Sequence, residues 1–376
     1  MLSLVSRDRL AELFLELVQI DSVSRNERML AEYLTSRLEE LGFCVYEDEA
    51  GRAIGGNAGN LIAHLPGKID TGGSILFCAH MDTVEPGRRV KPRVKDGVVY
   101  SSGETILGAD DKAGIAAIIE AVRTAQEKGV KYPPIEVVFT VAEEVGLLGS
   151  KNLDTDLLKS SMGFVLDCDG SPGKIIVRAP SQDRIVARVH GRAAHAGINP
   201  EDGINAIQAA SYGIACLRLG RIDDETTANI GVIRGGLATN IVPDRVDLEG
   251  ETRSLVDAKR MAMTEEICRN LEEGVRRKGG RIEISVETVY RAFKLEPDAP
   301  PVRLAMRAAD QLGLKPYLEQ SGGGSDANIF NAAGIPTVNL ACGMRKVHST
   351  EECLELNDLV DTARLVLEII KQSALT

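Results

Sequence analysis

The chain has 376 residues, a formal net charge of −11 and an aromatic content of 4%. This length predicts two or three domains with packed cores. The acidic balance argues against nucleic-acid binding, which requires a basic face. No uncharged apolar run approaches the ~20 residues that span a bilayer, and the charges near the start indicate no signal peptide. We therefore expect a cytoplasmic protein that binds neither nucleic acid nor membrane.

The first half of the chain alternates helical and strand-like patterns. Residues 7–18 and 26–41 are amphipathic and predict helices. Residues 107–114 lead into a long apolar helix. Apolar runs predict strands near residues 61, 75, 98, 136 and 163. The alternation is typical of an α/β domain.

The pattern changes after Pro180 and returns to α/β after residues 297–301, with a final helix near 358–372. Between these points, strand-like and helical segments follow in the order βαββαβ, which is that of the ferredoxin-like split unit. These segments are residues 184–191, 203–217, 226–233, 245–252, 258–277 and 281–288.

Two adjacent acids, Glu143 and Glu144, follow the largely apolar run 135–141 and precede a glycine loop. Folding gains nothing from two carboxylates at the end of a core strand, although a solvated strand end is the common explanation of a single such pair. A metal-dependent hydrolase needs both groups, one as a ligand and one as a base toward water.

Metal-binding side chains also follow other predicted strands: His80, Asp167 and, after a short loop, His348. Asp110 opens the long apolar helix. In open α/β sheets, ligands bind where the carboxyl ends of the strands meet, so one site can collect all of these residues. Because His348 must join ligands from the first half, we predict that residues 1–178 and 291–376 form one domain and that residues 179–290 are inserted into it.

The motifs His80-Met-Asp82, Gly108-Ala-Asp110-Asp111-Lys-Ala-Gly114, Glu143-Glu144-Val-Gly146, Asp167 and His348-Ser-Thr-Glu-Glu352 occur in the order seen in the co-catalytic di-zinc peptidases. That superfamily includes peptidase T, carboxypeptidase G, acetylornithine deacetylase and succinyl-diaminopimelate desuccinylase. The chain resembles it from about residue 10 to about residue 370. Residues 105–114 are most similar to the peptidase T branch.

The resemblance implies a di-zinc exopeptidase α/β/α catalytic domain with an inserted ferredoxin-like βαββαβ lid or dimerisation domain. It implies two Zn²⁺ per subunit, and Mn²⁺ or Co²⁺ would also suit the ligands. One zinc would be bound by His80, Asp110 and Asp167. The other would be bound by Asp110, Glu144 and His348.

Further roles come from the same resemblance. Glu143 would be the general base, and Asp82 would hold the ring of His80, since a metal-bound histidine usually has its other nitrogen hydrogen-bonded. The resemblance also implies a cis peptide bond between Asp110 and Asp111.

The inserted segment and the glycine loop after it carry the implied substrate-binding groups. His195 would cross a homodimer formed through residues 180–290 and polarise the substrate carbonyl. Asn240 and Arg253 would hold the substrate's carboxylate, because the planar guanidinium binds a carboxylate with two hydrogen bonds. Backbone N–H groups of the loop around Gly323 and Ser325 would face the substrate.

We therefore expect a zinc-dependent hydrolase that cleaves amide bonds of short peptides, most simply a tripeptide aminopeptidase. An N-acyl amino acid deacylase or a carboxypeptidase would use the same groups and is the alternative. A metal-free binding protein of the same fold is a third possibility, against which the intact ligand set and Glu143 argue.

The remaining reactive side chains fit structural roles. Cys78 and Cys342 lie in apolar runs, which predicts buried, reduced thiols. Cys168 has no histidine near it in sequence and is expected to pack rather than react. His64 and His190 lack acidic partners at ligand spacing, and we expect both to be structural or exposed.

Overall fold

The computed structural model describes residues 5–69 and 73–375. The start of the chain, where we expect no signal peptide, lies partly outside the described residues. The chain divides into two compact units. Unit 1 comprises Met1–Arg178, Lys294–Ser321 and Ser325–Thr376, and unit 2 comprises Ala179–Phe293 and Gly322–Gly324.

The first segment of unit 1 alternates helices and strands, as the sequence predicts. In chain order its elements are α1 (Arg7–Val18), α2 (Arg28–Glu40), β1 (Cys44–Glu47), α3 (Ala50–Ile54), β2 (Leu61–Leu65), β3 (Ser74–His80), β4 (Pro92–Lys95), β5 (Val98–Ser101), α4 (Ala109–Glu127), β6 (Ile135–Thr140), α5 (Leu148–Lys151), a 3-10 helix (Thr155–Leu157), β7 (Ser160–Cys168) and β8 (Lys174–Ala179).

Unit 2 has the predicted βαββαβ order with one additional short strand, β10. Its elements are β9 (Ser181–His190), a 3-10 helix (Pro200–Asp202), α6 (Ala206–Ala215), β10 (Gly220–Arg221), β11 (Thr226–Gly235), β12 (Arg245–Ser254), α7 (Asp257–Arg277) and β13 (Arg281–Tyr290). The strands pair in the order β10-β11-β12-β9-β13. This confirms the ferredoxin-like arrangement.

The α/β pattern then resumes and completes unit 1. The elements are β14 (Phe293–Lys294), α8 (Pro300–Leu312), β15 (Tyr317–Gln320), α9 (Asp326–Ala332), β16 (Thr337–Ala341), β17 (Met344–Arg345), β18 (Cys353–Glu355) and α10 (Leu356–Ser373). Prolines occupy the first turn of α8, where the missing N–H groups are tolerated, and Gly313 ends the helix with a left-handed φ of 74°.

The central sheet of unit 1 runs in the order β1-β2-β6-β3-β7-β16-β8. β3 is parallel to both β6 and β7, and β16 is parallel to β7. These four strands therefore end at the same edge of the sheet. β3 and β6 are buried along their whole lengths, which agrees with their largely apolar sequences.

Each unit has its own hydrophobic core. In unit 1, α4 lies against α1, α10 and β3, and its apolar side chains are almost all buried. In unit 2, alternate residues of β9 (Ile185, Ala187 and Val189) face inward and pack in one cluster with Ile267 and Leu271 of α7. Burial of this apolar area is the main force that stabilises each unit.

None of the helices in the described part of the chain combines the length and apolarity that crossing a bilayer requires. The seven cysteines are all free. Cys78 and Cys342 are fully buried, as predicted from their apolar surroundings.

Candidate metal centre

Side chains from well-separated segments meet at the carboxyl edge of the central sheet in unit 1. His80 ends β3, Glu144 follows β6, Asp167 lies near the end of β7, and Asp110 lies at the start of α4. Ligand atoms of His80, Asp110 and Glu144 all lie within 4.8 Å of one another. The fold thus brings these four predicted ligands together.

The carboxylate of Asp110 lies between the two predicted histidine ligands. Its Oδ1 atom is 3.0 Å from Nε2 of His80, and its Oδ2 atom is 3.3 Å from Nε2 of His348. Asp167 Oδ1 is 3.7 Å from the His80 nitrogen, and Glu144 Oε2 is 2.9 Å from the His348 nitrogen. One carboxylate therefore lies between the two histidines, which is the arrangement that a bridging aspartate would require.

The peptide bond between Asp110 and Asp111 is cis, as the resemblance implies. Asp111 was not predicted as a ligand, although one of its carboxylate oxygens and ligand atoms of His80 and Asp167 all lie within 4.8 Å of one another. Its two oxygens accept backbone N–H groups from His80 (3.2 Å) and Gly114 (3.1 Å). We therefore assign Asp111 to holding the backbone rather than to a metal.

The crowding of acids shifts the pKa values of this cluster. Hydrogen bonds to Asp110 and Glu144 raise the pKa of His348 to about 10. Burial raises the pKa of Asp167 to about 7, although a hydrogen bond from His80 opposes the shift. Burial, followed by the charge of Asp167, raises the pKa of Glu143 well above its ordinary value. So many acids in a largely buried cluster favour compensation by positive charge.

The donor set fits two divalent cations. Oε1 of Glu144 is buried and has no hydrogen-bond partner among the described residues. At His80, Nδ1–H donates to the carbonyl oxygen of Asp82 (2.9 Å), which leaves Nε2 to face the acids. Carboxylate oxygens and an imidazole nitrogen oriented in this way suit zinc, and they also suit manganese or cobalt.

The carboxylate of Asp82 fixes the loop that carries the two glutamates. It accepts the backbone N–H of Glu143 (2.8 Å) and of Glu144 (3.3 Å), and the hydroxyl of Ser24 donates to it (2.6 Å). Its Oδ1 atom is 3.5 Å from Nδ1 of His80, so the carbonyl of Asp82 is the closer partner of that ring. The role that the resemblance implies for Asp82 stays a prediction, and the geometry adds a second one.

Two buried glutamates that sequence reasoning missed also hold backbone near the site. Glu27 accepts N–H groups from Arg25 (2.7 Å) and Ala142 (3.1 Å). Glu352 accepts the backbone N–H groups of Leu107 (2.8 Å), Gly108 (2.7 Å) and Asp110 (3.0 Å). The spacing of Glu352 after His348 was visible in sequence, but its partners were not.

The candidate groups of unit 2 are less enclosed. His195 and Asn240 are exposed. Nδ1 of His195 accepts N–H groups from Gly197 and Ile198, both at 3.1 Å, so a neutral ring carries its proton on Nε2. Arg253 is half-buried and makes two hydrogen bonds to Glu251, at 2.9 and 3.1 Å.

The glycine loop is divided between the units. Gly323 is half-buried in unit 2. Ser325 belongs to unit 1, is buried, and caps α9: its side chain accepts the N–H of Asn328, whose side chain in turn accepts the N–H of Ser325 at 3.0 Å. This capping box engages the Ser325 hydroxyl. Substrate binding by Gly323 and Ser325 stays a prediction.

The side chains expected to be structural lie outside the metal cluster. Burial raises the pKa of Cys168 to about 12, which is contrary to a reactive thiolate. His64 is partly exposed with Nδ1 3.9 Å from Glu136, and Nε2 of His190 is 3.6 Å from Glu283. Within the described ranges, neither histidine belongs to a group that could hold a metal.

Comparison with known proteins agrees with this geometry. The sequence profile of peptidase family M20/M25/M40 matches residues 76–372. Protein YqjE of Bacillus subtilis (strain 168) is 46% identical over 371 residues, which cover 99% of this chain and 100% of that protein.

Two solved structures are similar over nearly the whole chain. Aminopeptidase PepT from Bacillus cereus ATCC 10987 has a TM-score of 0.90 and is 44% identical, with 99% of this chain and 100% of that chain covered. A tripeptidase from Staphylococcus aureus subsp. aureus Mu50 has a TM-score of 0.95 and is 41% identical, with the same coverage. The chain is a member of peptidase family M20/M25/M40.

Proposed function

We propose that this chain is a two-metal aminopeptidase that removes the N-terminal residue of tripeptides. The observation that carries the proposal is the Asp110 carboxylate, whose two oxygens face His80 and His348 separately. The similarity to an aminopeptidase and a tripeptidase at 44% and 41% identity supports the choice of substrate. No comparable observation favours an N-acyl amino acid deacylase or a carboxypeptidase.

We propose zinc as the metal. His80, Asp110 and Asp167 would hold one ion, and Asp110, Glu144 and His348 would hold the other. When bound, the two ions would lower the pKa of water and stabilise negative charge on the scissile carbonyl oxygen.

Glu143 is the proposed base. Its carboxylate takes a proton from the attacking water and then gives that proton to the leaving amine. Asp82 holds the backbone N–H of Glu143 at 2.8 Å, so the base sits on a fixed loop. Such pre-positioning removes the need to order the base during the reaction.

We propose unit 1 as the catalytic domain and unit 2 as a lid and dimerisation domain. In unit 2, the Nε2–H of neutral His195 is a donor suited to the carbonyl oxygen, and Asn240 and Arg253 are proposed for the substrate's carboxylate. Exposed apolar side chains near the β11 edge, Ile233 (53% exposed) and Leu237 (88%), support a homodimer through this unit. The free cysteines support a cytoplasmic location.

The substrate assignment is tested with zinc-loaded protein and a pair of peptides, Ala-Ala-Ala and its N-acetyl derivative. We expect alanine and Ala-Ala from the first peptide and no cleavage of the second. Release of acetate from the N-acetyl peptide, or of alanine from its carboxyl end, would contradict the proposal in favour of a deacylase or a carboxypeptidase.

The dimer is tested by mixing two inactive variants, His195→Ala and Glu143→Ala. If His195 acts on the partner subunit, a mixed dimer contains one intact site, and up to half the activity per dimer returns. If His195 acts within its own chain, every site lacks one group and no activity returns. A fully active monomer would rule out the homodimer.

A further inference from the structure

A pocket of about 360 Å³ lies within unit 1 beside the metal centre. Glu144, a proposed metal ligand, and the adjacent Val145 both line this pocket. Val23 and Val84 come from two other segments of the chain. We propose that this pocket receives the N-terminal residue of the substrate and selects aliphatic side chains there. The inference rests on the proposed peptidase function and specifies its substrate class.

The size of the pocket suits one residue. Ligand pockets commonly enclose ~300–1,000 Å³, so this one is at the small end. An aminopeptidase acting on a tripeptide must place one residue on the amino side of the scissile bond and two on the carboxyl side. A compact pocket that shares Glu144 with the metal centre therefore fits the single residue better than the departing dipeptide.

The walls indicate an aliphatic side chain. Val23 is buried, Val84 is half-buried, and Val145 is 48% exposed in the absence of a ligand. An aliphatic side chain of the substrate, bound between these three valines, would remove more of their apolar surface from water. A charged side chain would lose its hydration against the same surfaces.

The polar groups of the pocket indicate which end of the peptide it takes. Two carboxylates, Glu85 and Glu144, and one guanidinium, Arg88, line it, and Arg88 is already paired with Glu85 at 2.9 Å. Glu144 belongs to the proposed metal centre and Arg88 is paired with Glu85, so the residues that line the pocket leave no unpaired side-chain cation to hold the carboxylate at the other end of the peptide.

The hydroxyl of Thr83 gives a second, independent indication of a polar ligand. Thr83 is 1% exposed and lines the pocket, and its Oγ1 atom makes no hydrogen bond within the described part of the chain. A buried hydroxyl without a partner is unfavourable. An N–H group of the bound N-terminal residue would supply that partner.

The test measures kcat/KM for Leu-Gly-Gly, Phe-Gly-Gly, Gly-Leu-Gly and Gly-Gly-Gly with the zinc-loaded enzyme. Val145→Phe narrows the pocket, and we expect the ratio of Leu-Gly-Gly to Gly-Gly-Gly to fall by ~10-fold or more. Val145→Ala widens it, and we expect the ratio of Phe-Gly-Gly to Leu-Gly-Gly to rise. Val94→Phe, at an exposed position in β4 (50% exposed), is the matched control and should change neither ratio.

Three results would overturn the inference. Equal losses on all peptides with Val145→Phe, together with unchanged ratios in Val145→Ala, would show that the pocket does not select a side chain. A change confined to Gly-Leu-Gly would place the second residue in the pocket. If the wild-type enzyme cleaves none of these peptides, the proposed function falls as well, whereas an active wild type with unchanged ratios overturns only the pocket assignment.

Discussion

The two units compensate the negative charge of their buried carboxylates with different partners. In unit 2, Asp183 is 3% exposed, and Arg260 and the hydroxyls of Thr264 (2.7 Å) and Thr288 (2.8 Å) all donate to it. In unit 1, the acids around Asp110 form their ion pairs with histidines.

The difference separates a structural cluster from a binding site. The charge of Asp183 is compensated by a guanidinium, which cannot be deprotonated in a protein, and its hydrogen bonds are complete. The cluster of unit 1 depends on histidine protons, and these can be exchanged for metal ions. Each cluster contains a buried aspartate, so a buried carboxylate alone does not identify a metal site. What distinguishes the two is the partner of the acids.

The largest expected effect concerns Glu143. Glu143→Gln removes the proposed base, so we expect turnover to fall by ~10²–10⁴-fold while both metal ions stay bound. Glu144→Gln is the matched variant, since it removes a proposed ligand one residue later and should lower metal content. Steady-state kinetics and elemental analysis of both proteins check this. Full activity in Glu143→Gln, or loss of metal from it, would show that the roles are assigned wrongly.

The buried pair of unit 2 should affect stability without affecting metal binding. Asp183→Ala leaves Arg260 buried without its carboxylate, and we expect the free energy of unfolding to fall by ~3–5 kcal/mol. Zinc stoichiometry should not change. Asp247→Asn is the control, because Asp247 also pairs with two arginines, Arg188 and Arg245, but at an exposed position, and its effect should be much smaller.

Denaturant unfolding measures the free energy of unfolding of each variant, and metal titration measures its zinc stoichiometry. An Asp183→Ala protein that loses zinc would show that the two clusters are not independent. A protein as stable as the wild type would show that the unit 2 cluster is not structural.

Glu352 offers a way to weaken the metal centre without touching a ligand. Glu352→Ala frees the backbone N–H groups of Leu107, Gly108 and Asp110, so we expect metal affinity to fall by ~10–100-fold. Glu351→Gln is the neighbouring control, since the Glu351 side chain is 71% exposed and pairs with Lys346. Competition with a zinc chelator gives the dissociation constants. Equal affinities in the two variants would contradict a positioning role for Glu352.

Glu27 tests the electrostatic account through pH. Burial, followed by the charge of Asp82, raises the pKa of Glu27 to about 7 in the folded protein, above the ordinary value of 4.5. At a pH between these two pKa values, the folded state therefore binds more protons than the unfolded state. The free energy of unfolding falls as the pH rises through this range. The loss is complete above about pH 7 and amounts to about 3 kcal/mol.

Glu27→Gln removes this loss because the amide stays neutral. We expect the metal-free variant to be more stable than the metal-free wild type at pH 8, with the difference vanishing near pH 4.5. Glu49→Gln, at a side chain that is 81% exposed, should follow the wild-type profile. Thermal unfolding across this pH range checks the sign, and a Glu27→Gln protein that is less stable at pH 8 would contradict it.

The sequence indicated the side chains that cluster at the sheet edge better than the groups that hold the backbone around them. His80, Asp110, Glu144, Asp167 and His348 could be proposed because each follows an apolar run or opens an apolar helix, and carboxyl ends of parallel strands meet. The cis bond after Asp110 came from the resemblance, since no local pattern encodes it.

The two glutamates that sequence reasoning missed accept hydrogen bonds from backbone N–H groups. Such contacts leave no recognisable pattern in the amino-acid sequence. Glu27 and Glu352 bind N–H groups of residues 115 and more than 240 positions away, respectively. Helix ends were also shifted: the predicted helix 26–41 is Arg28–Glu40, and 203–217 is Ala206–Ala215 after a 3-10 turn. Tertiary contacts decide such positions, and amphipathic periodicity does not contain them.

The central claim is that one carboxylate, Asp110, joins two metal ions, and metal stoichiometry tests it most directly. Metal-free protein is titrated with zinc and compared with Asp110→Ala, Asp167→Ala and His348→Ala, with folding checked by circular dichroism. We predict two zinc ions per chain for the wild type, loss of both in Asp110→Ala, and loss of one in each of the other variants. A wild type that binds a single ion, or an Asp110→Ala protein that still binds two, would contradict the account.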